Sequence, residues 1–314
     1  MLAERIATAT FPPSSDARRL PGIGWLVQTR GRDVLVSGED LVELARFTLP
    51  SEWRAAHWVS SDLRFAAISE RDSVLLIERS GRIVWQVTHP PWGEGDSESG
   101  CCWISADGTQ VWATTPTVDG PDQWMVLDAS DGRILGVSQL ECFAAGSHPV
   151  PHPDGDRVGL SVGDGQDGAE VYWGLWEAGR PVVARIDDRS RNLVDVRPSG
   201  GQYLTTPHSS SDGSVAVHGL PGGRVVARLQ SSAVLQDGDS FDYGAGYLNE
   251  RLIIAGTTEM QTHLLAADTL APVGCVEYPG GLEKYGIVAT GRGTWLTSDY
   301  PSGLHELWRL VDEA

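Results

Sequence analysis

The chain has 314 residues, with 24 Lys or Arg against 42 Asp or Glu, so its formal net charge at pH 7 is −18. An acidic surface disfavours binding to nucleic acid and to anionic membranes, and it favours a basic protein or peptide partner. Four cysteines are too few for a disulfide framework. The first residues do not resemble a signal peptide and no apolar run reaches the length of a membrane span, so we expect a cytoplasmic protein.

The chain opens with a segment that alternates apolar and polar residues. This segment, ERIATATF, is typical of a β-strand. Pro12, Pro13 and a polar stretch follow it, so it has no neighbouring strand with which to form a hairpin. We therefore expect it to pair with a strand from elsewhere in the chain.

Seven hairpin turns recur along the rest of the sequence. Asp107-Gly108, within CCWISADGTQVWATT, is typical of them, because Asp-Gly suits tight turns that need positive φ. The second residues of the seven turns stand at positions 31, 63, 108, 155, 200, 250 and 292, and the steps between them are 32, 45, 47, 45, 50 and 42. Most of these steps match the repeat of a four-stranded propeller blade, so we assign each turn to the first and second strands of a blade.

A second set of turns lies in phase with the first. LIERSGRIVWQV and VLDASDGRILGV each show an apolar strand, a Gly turn, Arg and an alternating strand. The turn residues of this set are Gly81, Gly132, Gly179, Gly223 and the pair Thr269-Leu270. Two hairpins per repeat predict four strands per blade.

The last repeat supplies only three strands, over 285–289, 294–298 and 305–311. The unpaired N-terminal strand would complete that blade and protect its open edge. The sequence therefore predicts an all-β chain that forms a single seven-bladed β-propeller domain over residues 1–314, with the last blade closed by the N-terminal strand. The predicted blades are 22–49, 56–89, 100–140, 146–187, 193–230, 240–278, and 284–312 together with 3–10.

With these turns the chain resembles the WD-repeat and related bacterial seven-bladed β-propeller superfamily. The resemblance rests on the Asp-Gly turns in SADGTQVWATT and HPDGDRVGLSV and on the Gly-Arg turns of the second set. It spans nearly the whole chain, although no blade carries the Gly-His…Trp-Asp pair. It implies a fold and a ring topology rather than an activity.

The two ends of the predicted blades differ. The first-to-second and third-to-fourth turns share one end and are tight, whereas the second-to-third loops and the links between blades share the other end and are long. Long loops on a rigid scaffold are where binding residues concentrate, so we predict a non-catalytic scaffold that binds a protein or peptide there, without a cofactor. The candidate contact residues of this long-loop face are His89, Trp92, His148, His152, His208 and Tyr300. For Trp92 the alternative is a ring that packs back over a blade edge.

Two alternatives remain open. A metal-assisted hydrolase or lactonase would hold one divalent ion at the central channel, using carboxylates and an imidazole as ligands. Its candidate ligands are Asp164, Asp212, Asp299 and His208. A small-ligand sensor is the other alternative.

Two motif matches carry no chemistry. Residues 163–168 spell Gly-x-Gly-x-x-Gly, but a strand follows where dinucleotide binding needs a helix, and two aspartates would repel phosphate. His148 and His152 are four residues apart, but the prolines between and beside them exclude a helix. In an extended chain the two side chains lie about 13 Å apart, too far to share one zinc ion.

Overall fold

The computed structural model describes residues 1–12, 16–28, 32–50, 56–93, 100–143, 146–163, 168–186, 190–208, 213–280 and 286–311. In these residues there are 28 β-strands and one single-turn 3-10 helix, Ser231–Ala233. No described helix has the length and apolar character needed to cross a membrane. The strands form seven four-stranded sheets, which confirms the prediction of an all-β, seven-bladed β-propeller.

The strands of the first four blades follow one another along the chain. Blade 1 contains β2 (Asp16–Leu20), β3 (Gly24–Gln28), β4 (Asp33–Gly38) and β5 (Glu43–Thr48). Blade 2 contains β6 (Ala56–Val59), β7 (Phe65–Ser69), β8 (Ser73–Glu78) and β9 (Ile83–Thr88). Blade 3 contains β10 (Cys102–Ile104), β11 (Gln110–Thr115), β12 (Gln123–Asp128) and β13 (Ile134–Gln139). Blade 4 contains β14 (Ser147–Pro151), β15 (Arg157–Gly163), β16 (Ala169–Glu177) and β17 (Arg180–Ile186).

The last three blades follow the same order until the chain ends. Blade 5 contains β18 (Arg191–Val196), β19 (Gln202–Pro207), β20 (Ser214–Gly219) and β21 (Val225–Gln230). Blade 6 contains β22 (Phe241–Tyr247), β23 (Leu252–Thr257), β24 (Thr262–Ala266) and β25 (Pro272–Cys275). Blade 7 contains β26 (Val288–Ala289), β27 (Thr294–Asp299), β28 (Leu304–Leu310) and β1 (Ala3–Thr10).

The residues fall into two compact units, which are described separately below. Blades 2, 3 and 4 belong to the unit formed by residues 30–36 and 43–189, here named the central unit. Blades 5, 6 and 7 belong to the unit formed by residues 1–29, 37–42 and 190–314, here named the terminal unit.

The N-terminal strand completes blade 7 as the sequence predicts. Strand β1 pairs antiparallel with β28, from Ala3 opposite Leu310 to Thr10 opposite Leu304, with an irregularity between Arg5 and Ala7. The Arg5 guanidinium lies 2.7 Å from the buried Glu306 carboxylate. The closure of the last blade by the N-terminal strand is therefore confirmed.

The predicted start of blade 1 is wrong. The sequence places the first-to-second turn at Arg30-Gly31 and the blade at 22–49, but the structure begins this blade with β2, Asp16–Leu20. The predicted turn, Arg30-Gly31, lies outside the described residues, and in the chain it falls between the second strand, β3, and the third strand, β4. Strand β2 is inconspicuous in the sequence because two half-buried arginines, Arg18 and Arg19, separate its buried residues Ala17 and Leu20. The true first turn passes through Gly22, and the step from 22 to the next turn residue, 63, is 41 instead of 32.

The burial pattern of the strands in a blade explains why the strands can be predicted from the sequence. In blade 3, five residues of β11 are buried and four of β12 are, because both faces of these strands are covered. The outer strand β13 alternates between half-buried and exposed residues, since only one of its faces is covered. Continuous apolar runs therefore mark the middle strands, and alternation marks the outer strands.

The tight turns are held by a repeated side-chain device. In blade 3, the hydroxyl of Ser105 donates to Asp107 Oδ1 at 2.6 Å, and the backbone N–H of Thr109 donates to the same oxygen at 3.0 Å. Gly108 follows with φ +72°, as an Asp-Gly turn requires. Because the whole network lies within five residues, the turn forms from local sequence alone.

The same turn position carries the same type of acceptor in other blades. Asp62 in blade 2 and Asp154 in blade 4 each accept a hydrogen bond from a backbone N–H two residues later. In blade 6 the acceptor is an amide, because Asn249 Oδ1 accepts from the backbone N–H groups of Arg251 and Leu252. An asparagine therefore serves this turn as well as an aspartate does.

Candidate docking surfaces

Within each blade, two ends can be distinguished. We name the end that carries the second-to-third strand loops and the links between blades the loop end. We name the end that carries the first-to-second and third-to-fourth turns the turn end. The sequence predicts binding residues at the loop end only.

In the central unit, the link after blade 2 holds two predicted contact residues at the loop end. Trp92 is 4% exposed, and its backbone N–H donates to the carbonyl of Arg71 at 2.7 Å. Its ring lies against Gly100, where a Cβ would come within 2.8 Å of the indole Cζ2 atom. Trp92 is therefore buried against the link and the β7–β8 loop, and its predicted role as a contact residue stays a prediction.

His89 is a half-buried neighbour of that tryptophan. The two rings make an edge-to-face contact with their centroids 6.5 Å apart. The His89 Nδ1 atom lies 2.6 Å from the carbonyl oxygen of Pro90. Burial lowers the pKa of His89, because the charged imidazolium is poorly solvated there.

The segment that holds the predicted contact residues His148 and His152 is largely a strand. His148 lies in β14, Ser147–Pro151, opposite Ser161 of β15. His152 follows that strand in the turn towards β15, at the turn end, and its Nδ1 lies 2.8 Å from Asp154 Oδ1. The prolines of this segment are accommodated because the backbone is extended. Because His152 lies in the turn between the first and second strands, it is at the opposite end of the blade from the predicted long-loop face.

In the terminal unit, two predicted residues stand at the loop end. His208 follows β19, and its backbone N–H donates to the carbonyl of Ser190 at 3.0 Å. Tyr300 follows β27 and is 39% exposed. Tyr243 lies at an irregularity within β22, the first strand of blade 6, and is half exposed.

The predicted metal ligands are only partly described. Asp164 and Asp212 lie outside the described residues. Asp299 ends β27 and accepts a hydrogen bond from the hydroxyl of Ser302 at 2.5 Å. Within the described part of the chain, no three His, Cys, Asp or Glu side chains are grouped closely enough to hold an ion. The metal site therefore stays a prediction.

The most exposed large apolar residues were not singled out in the sequence. Val118, in the β11–β12 loop, is 79% exposed, and Phe143, in the link after blade 3, is 65% exposed. Both segments lie at the loop end of blade 3 and are tied together, because the backbone N–H of Asp122 donates to the carbonyl of Cys142 at 3.0 Å. We name these two short segments, residues 117–119 and 141–143, the loop-end patch.

The loop-end patch is held in an ordered frame. The hydroxyl of Thr117 donates to the carbonyls of Gly120 and Pro121 at 2.7 and 3.0 Å. The backbone N–H of Leu140 donates to the carbonyl of Asp122 at 2.8 Å. The alternation that begins in β13 continues into the link, so Leu140 and Cys142 point inwards and Phe143 points out. That alternation is the sequence signal that could have identified Phe143.

The turn end of the central unit contains a groove between blades 2 and 3. Its volume is about 710 Å³, and its floor includes Phe65, Leu76, Ile104 and Leu135. Its walls are joined by direct hydrogen bonds between the blades: Ser61 Oγ donates to the carbonyl of Ala106 at 3.0 Å, and Trp85 Nε1 donates to the carbonyl of Ala129 at 2.9 Å. We name this cavity the turn groove.

Three carboxylates border the turn groove. They belong to Asp62 and Asp107, each three residues beyond the end of the first strand of its blade, and to Asp128, the last residue of β12. Partial burial alone would raise the pKa values of Asp62 and Asp107, but hydrogen bonds from serine hydroxyls and backbone N–H groups lower them overall. Hydrogen bonds from the hydroxyl and the N–H of Ser130 lower the pKa of Asp128. The sequence identifies these residues as turn formers only.

Comparison with solved structures supports the fold. The β-propeller domain of Cps50 (Swd1) from Myceliophteria thermophila is 12% identical to this chain, and the match covers 98% of this chain and 100% of that domain with a TM-score of 0.67. U3-55K is also 12% identical, with 98% of each chain covered and a TM-score of 0.63. Neither a family model nor a curated protein matches the chain. At this identity the similarity establishes the fold alone, which is that of a WD-repeat-like β-propeller.

Proposed function

We propose that the chain is a non-catalytic scaffold that binds a protein or peptide partner at the loop end. The observation that carries the proposal is the loop-end patch, where Val118 and Phe143 are the two most exposed large apolar side chains of the described residues. Similarity to β-propellers of the WD-repeat type is consistent with this role, and the site itself supplies the argument.

An exposed pair of apolar side chains on neighbouring segments is typical of a contact surface. A scattered apolar side chain on a surface is ordinary, but an aromatic ring in an ordered frame offers contact area at low entropic cost. The other exposed apolar residues of the central unit, such as Ile83 and Ile134, lie on the outer strands of their blades. The loop-end patch differs because it stands at loop segments on a rigid sheet.

The charge around the patch indicates the partner's chemistry. Asp119 follows Val118, and Glu141, whose exposed carboxylate pairs with Arg185, stands two residues before Phe143. An apolar centre with an acidic rim complements a partner that offers apolar side chains with lysine or arginine beside them. The net charge of −18 would steer such a partner to the surface, with an association rate that falls as salt rises.

A peptide library displayed on phage and selected on the purified chain tests the proposal. We expect the selected peptides to combine an aromatic or aliphatic residue with Lys or Arg. Synthetic versions should bind the wild-type chain at least about 10-fold more tightly than a double variant, Val118→Ser with Phe143→Ser, because apolar contact area is lost.

The matched control is the double variant Ile83→Ser with Ile134→Ser, which removes two exposed apolar residues away from the patch. Equal affinity for the wild-type chain and the patch variant would overturn the proposal, and so would an equal loss in the control. Retained folding of both variants is checked by circular dichroism.

A further inference from the structure

The turn groove is a preformed apolar cavity at the turn end of blades 2 and 3, whereas the loop-end patch lies at the loop end of blade 3. Its volume of about 710 Å³ lies within the range of cavities that hold small ligands or a few side chains. Leu76 and Ile104 are almost fully buried at its floor, and Phe65 and Leu135 are half buried. The groove therefore offers an apolar surface with fixed walls.

The border of the groove is anionic. Asp62, Asp107 and Asp128 carry three negative charges at neutral pH, because their hydrogen bonds favour the ionised form. Arg64 is the one cation that lines the groove among the described residues. Arg133, which does not line the groove, lies 3.3 Å from the Asp128 carboxylate and balances its charge. Asp62 and Asp107 together with Arg64 therefore leave an excess of one negative charge, which complements a cationic ligand.

Arg64 shows what the groove accepts. Its guanidinium carbon lies 5.1 Å from the centre of the Phe65 ring, in a cation–π arrangement. Its Nε lies 4.0 Å from Asp62 Oδ2, and its side chain is 72% exposed. An exposed arginine held by one ring face and one distant carboxylate is weakly bound, so a ligand cation can displace it.

We propose that the turn groove binds an arginine side chain of a partner peptide, with an adjacent aliphatic side chain of that peptide on the apolar floor. The incoming guanidinium takes the place of Arg64 over Phe65 and lies beside Asp62 and Asp107. Arginine fits better than lysine because its planar guanidinium both stacks on a ring and pairs with a carboxylate through two N–H groups. This site goes beyond the proposed docking at the loop end and does not depend on it.

The test uses two blocked peptides, acetyl-Gly-Leu-Arg-Leu-Gly-amide and the same peptide with citrulline in place of arginine. Citrulline keeps the shape of arginine and removes the charge. The readout is the NMR signal of the methyl groups of Ile104 and Leu135 in the full-length chain. We expect saturable shifts with the arginine peptide and binding of the citrulline peptide at least about 10-fold weaker. Unmoved methyl signals, or equal binding of both peptides, would overturn the proposal.

Two variants locate the charge that matters. Asp107→Asn should weaken binding of the arginine peptide about 5-fold, because it neutralises a carboxylate at the groove. The turn itself should persist, since Asn249 fills the same role in blade 6. Asp154→Asn is the matched control, because Asp154 holds the equivalent turn of blade 4 and does not line the groove. Equal effects of the two variants would contradict the proposal.

A third variant tests the displacement of Arg64. Arg64→Ala removes the internal competitor and should strengthen binding of the arginine peptide about 3-fold. A weakening would mean that Arg64 contacts the ligand directly, and the proposed exchange would be wrong. The loop-end variant, Val118→Ser with Phe143→Ser, should bind this peptide as the wild type does. If a peptide loses binding to the Val118→Ser, Phe143→Ser variant but still binds the Asp107→Asn variant, it binds at the loop end. The two proposals can therefore be tested independently.

Discussion

Two links in the central unit each carry one aromatic residue, and the structure treats them oppositely. Trp92, in the link after blade 2, is 4% exposed, whereas Phe143, in the link after blade 3, is 65% exposed. The first link finds a slot because Gly100 has no side chain where the indole packs. In the second link the inward positions are already filled by Leu140 and Cys142, so the phenyl ring stays outside. The space left by neighbouring residues, rather than the polarity of the loop, decides which aromatic is available for binding.

The largest effect on stability is expected at the buried ring of Trp92. Trp92→Ala should lower the free energy of unfolding by about 3–5 kcal/mol, because it removes a large side chain that is almost fully buried. Chemical denaturation followed by circular dichroism measures the change. Phe143→Ala serves as the matched substitution in the neighbouring link. A loss at Trp92 no larger than the loss at Phe143 would show that the indole does not hold the link.

A side chain at Gly100 should also disturb the packing of Trp92. A Cβ at Gly100 would clash with the backbone carbonyl oxygen of Thr114 and would lie 2.8 Å from the Trp92 ring and 2.9 Å from the Ser69 hydroxyl. Gly100→Ala should therefore cost about 1–3 kcal/mol through overpacking against both the backbone of β11 and the indole. The same denaturation experiment tests it. Gly201→Ala is the control, because a Cβ there has no heavy atom within 4 Å. If the two alanines cost the same, the slot does not depend on the glycine.

Part of the fold is readable from sequence because its determinants are local. The Ser105–Asp107–Gly108 turn is complete within a few residues, so its copies could be located and counted along the chain. The buried middle strands are readable for the same reason, as continuous apolar runs. Strand β2 was missed because its pairing with β3 is what defines it, and its arginines resemble a loop.

The candidate sites are less readable because their residues meet only in the folded chain. The turn groove combines Phe65 of blade 2 with Ile104 and Asp107 of blade 3, which are about forty residues apart in sequence. A single segment shows only that Asp107 suits a turn. The sequence predicts a contact at Trp92 and does not distinguish Phe143, because loop composition records neither the slot at Gly100 nor the filled positions before Phe143.

The link after blade 2 should also make the free energy of unfolding depend on pH, because His89 contacts the buried Trp92 ring. Burial lowers the pKa of His89 below its unfolded value of about 6.5. Its contribution to stability is therefore fully present above that value and is lost as the pH falls through the folded pKa. His89→Gln removes the titration, so the variant should lose less stability between about pH 7.5 and about pH 5 than the wild type does.

Partial exposure of His89 limits this difference to less than about 1 kcal/mol. Denaturation curves of both proteins at the two pH values measure it, and subtraction cancels the other groups. One of these is Asp195, whose buried carboxyl has a pKa raised to about 6, so that its contribution changes with pH in the opposite sense. Parallel pH profiles for the variant and the wild type would show that His89 is not linked to folding.

The smallest effect on stability is expected at the exposed ring. Phe143→Ala should change the free energy of unfolding by less than about 0.5 kcal/mol, because little of the phenyl surface is covered in the folded chain. The same substitution should weaken the library-selected peptides markedly, since the ring is available to a partner. Trp92 would then stabilise the fold, and Phe143 would contribute to binding a partner. A loss at Phe143 comparable to that at Trp92 would mean that the phenyl ring supports the fold, and the division would fail.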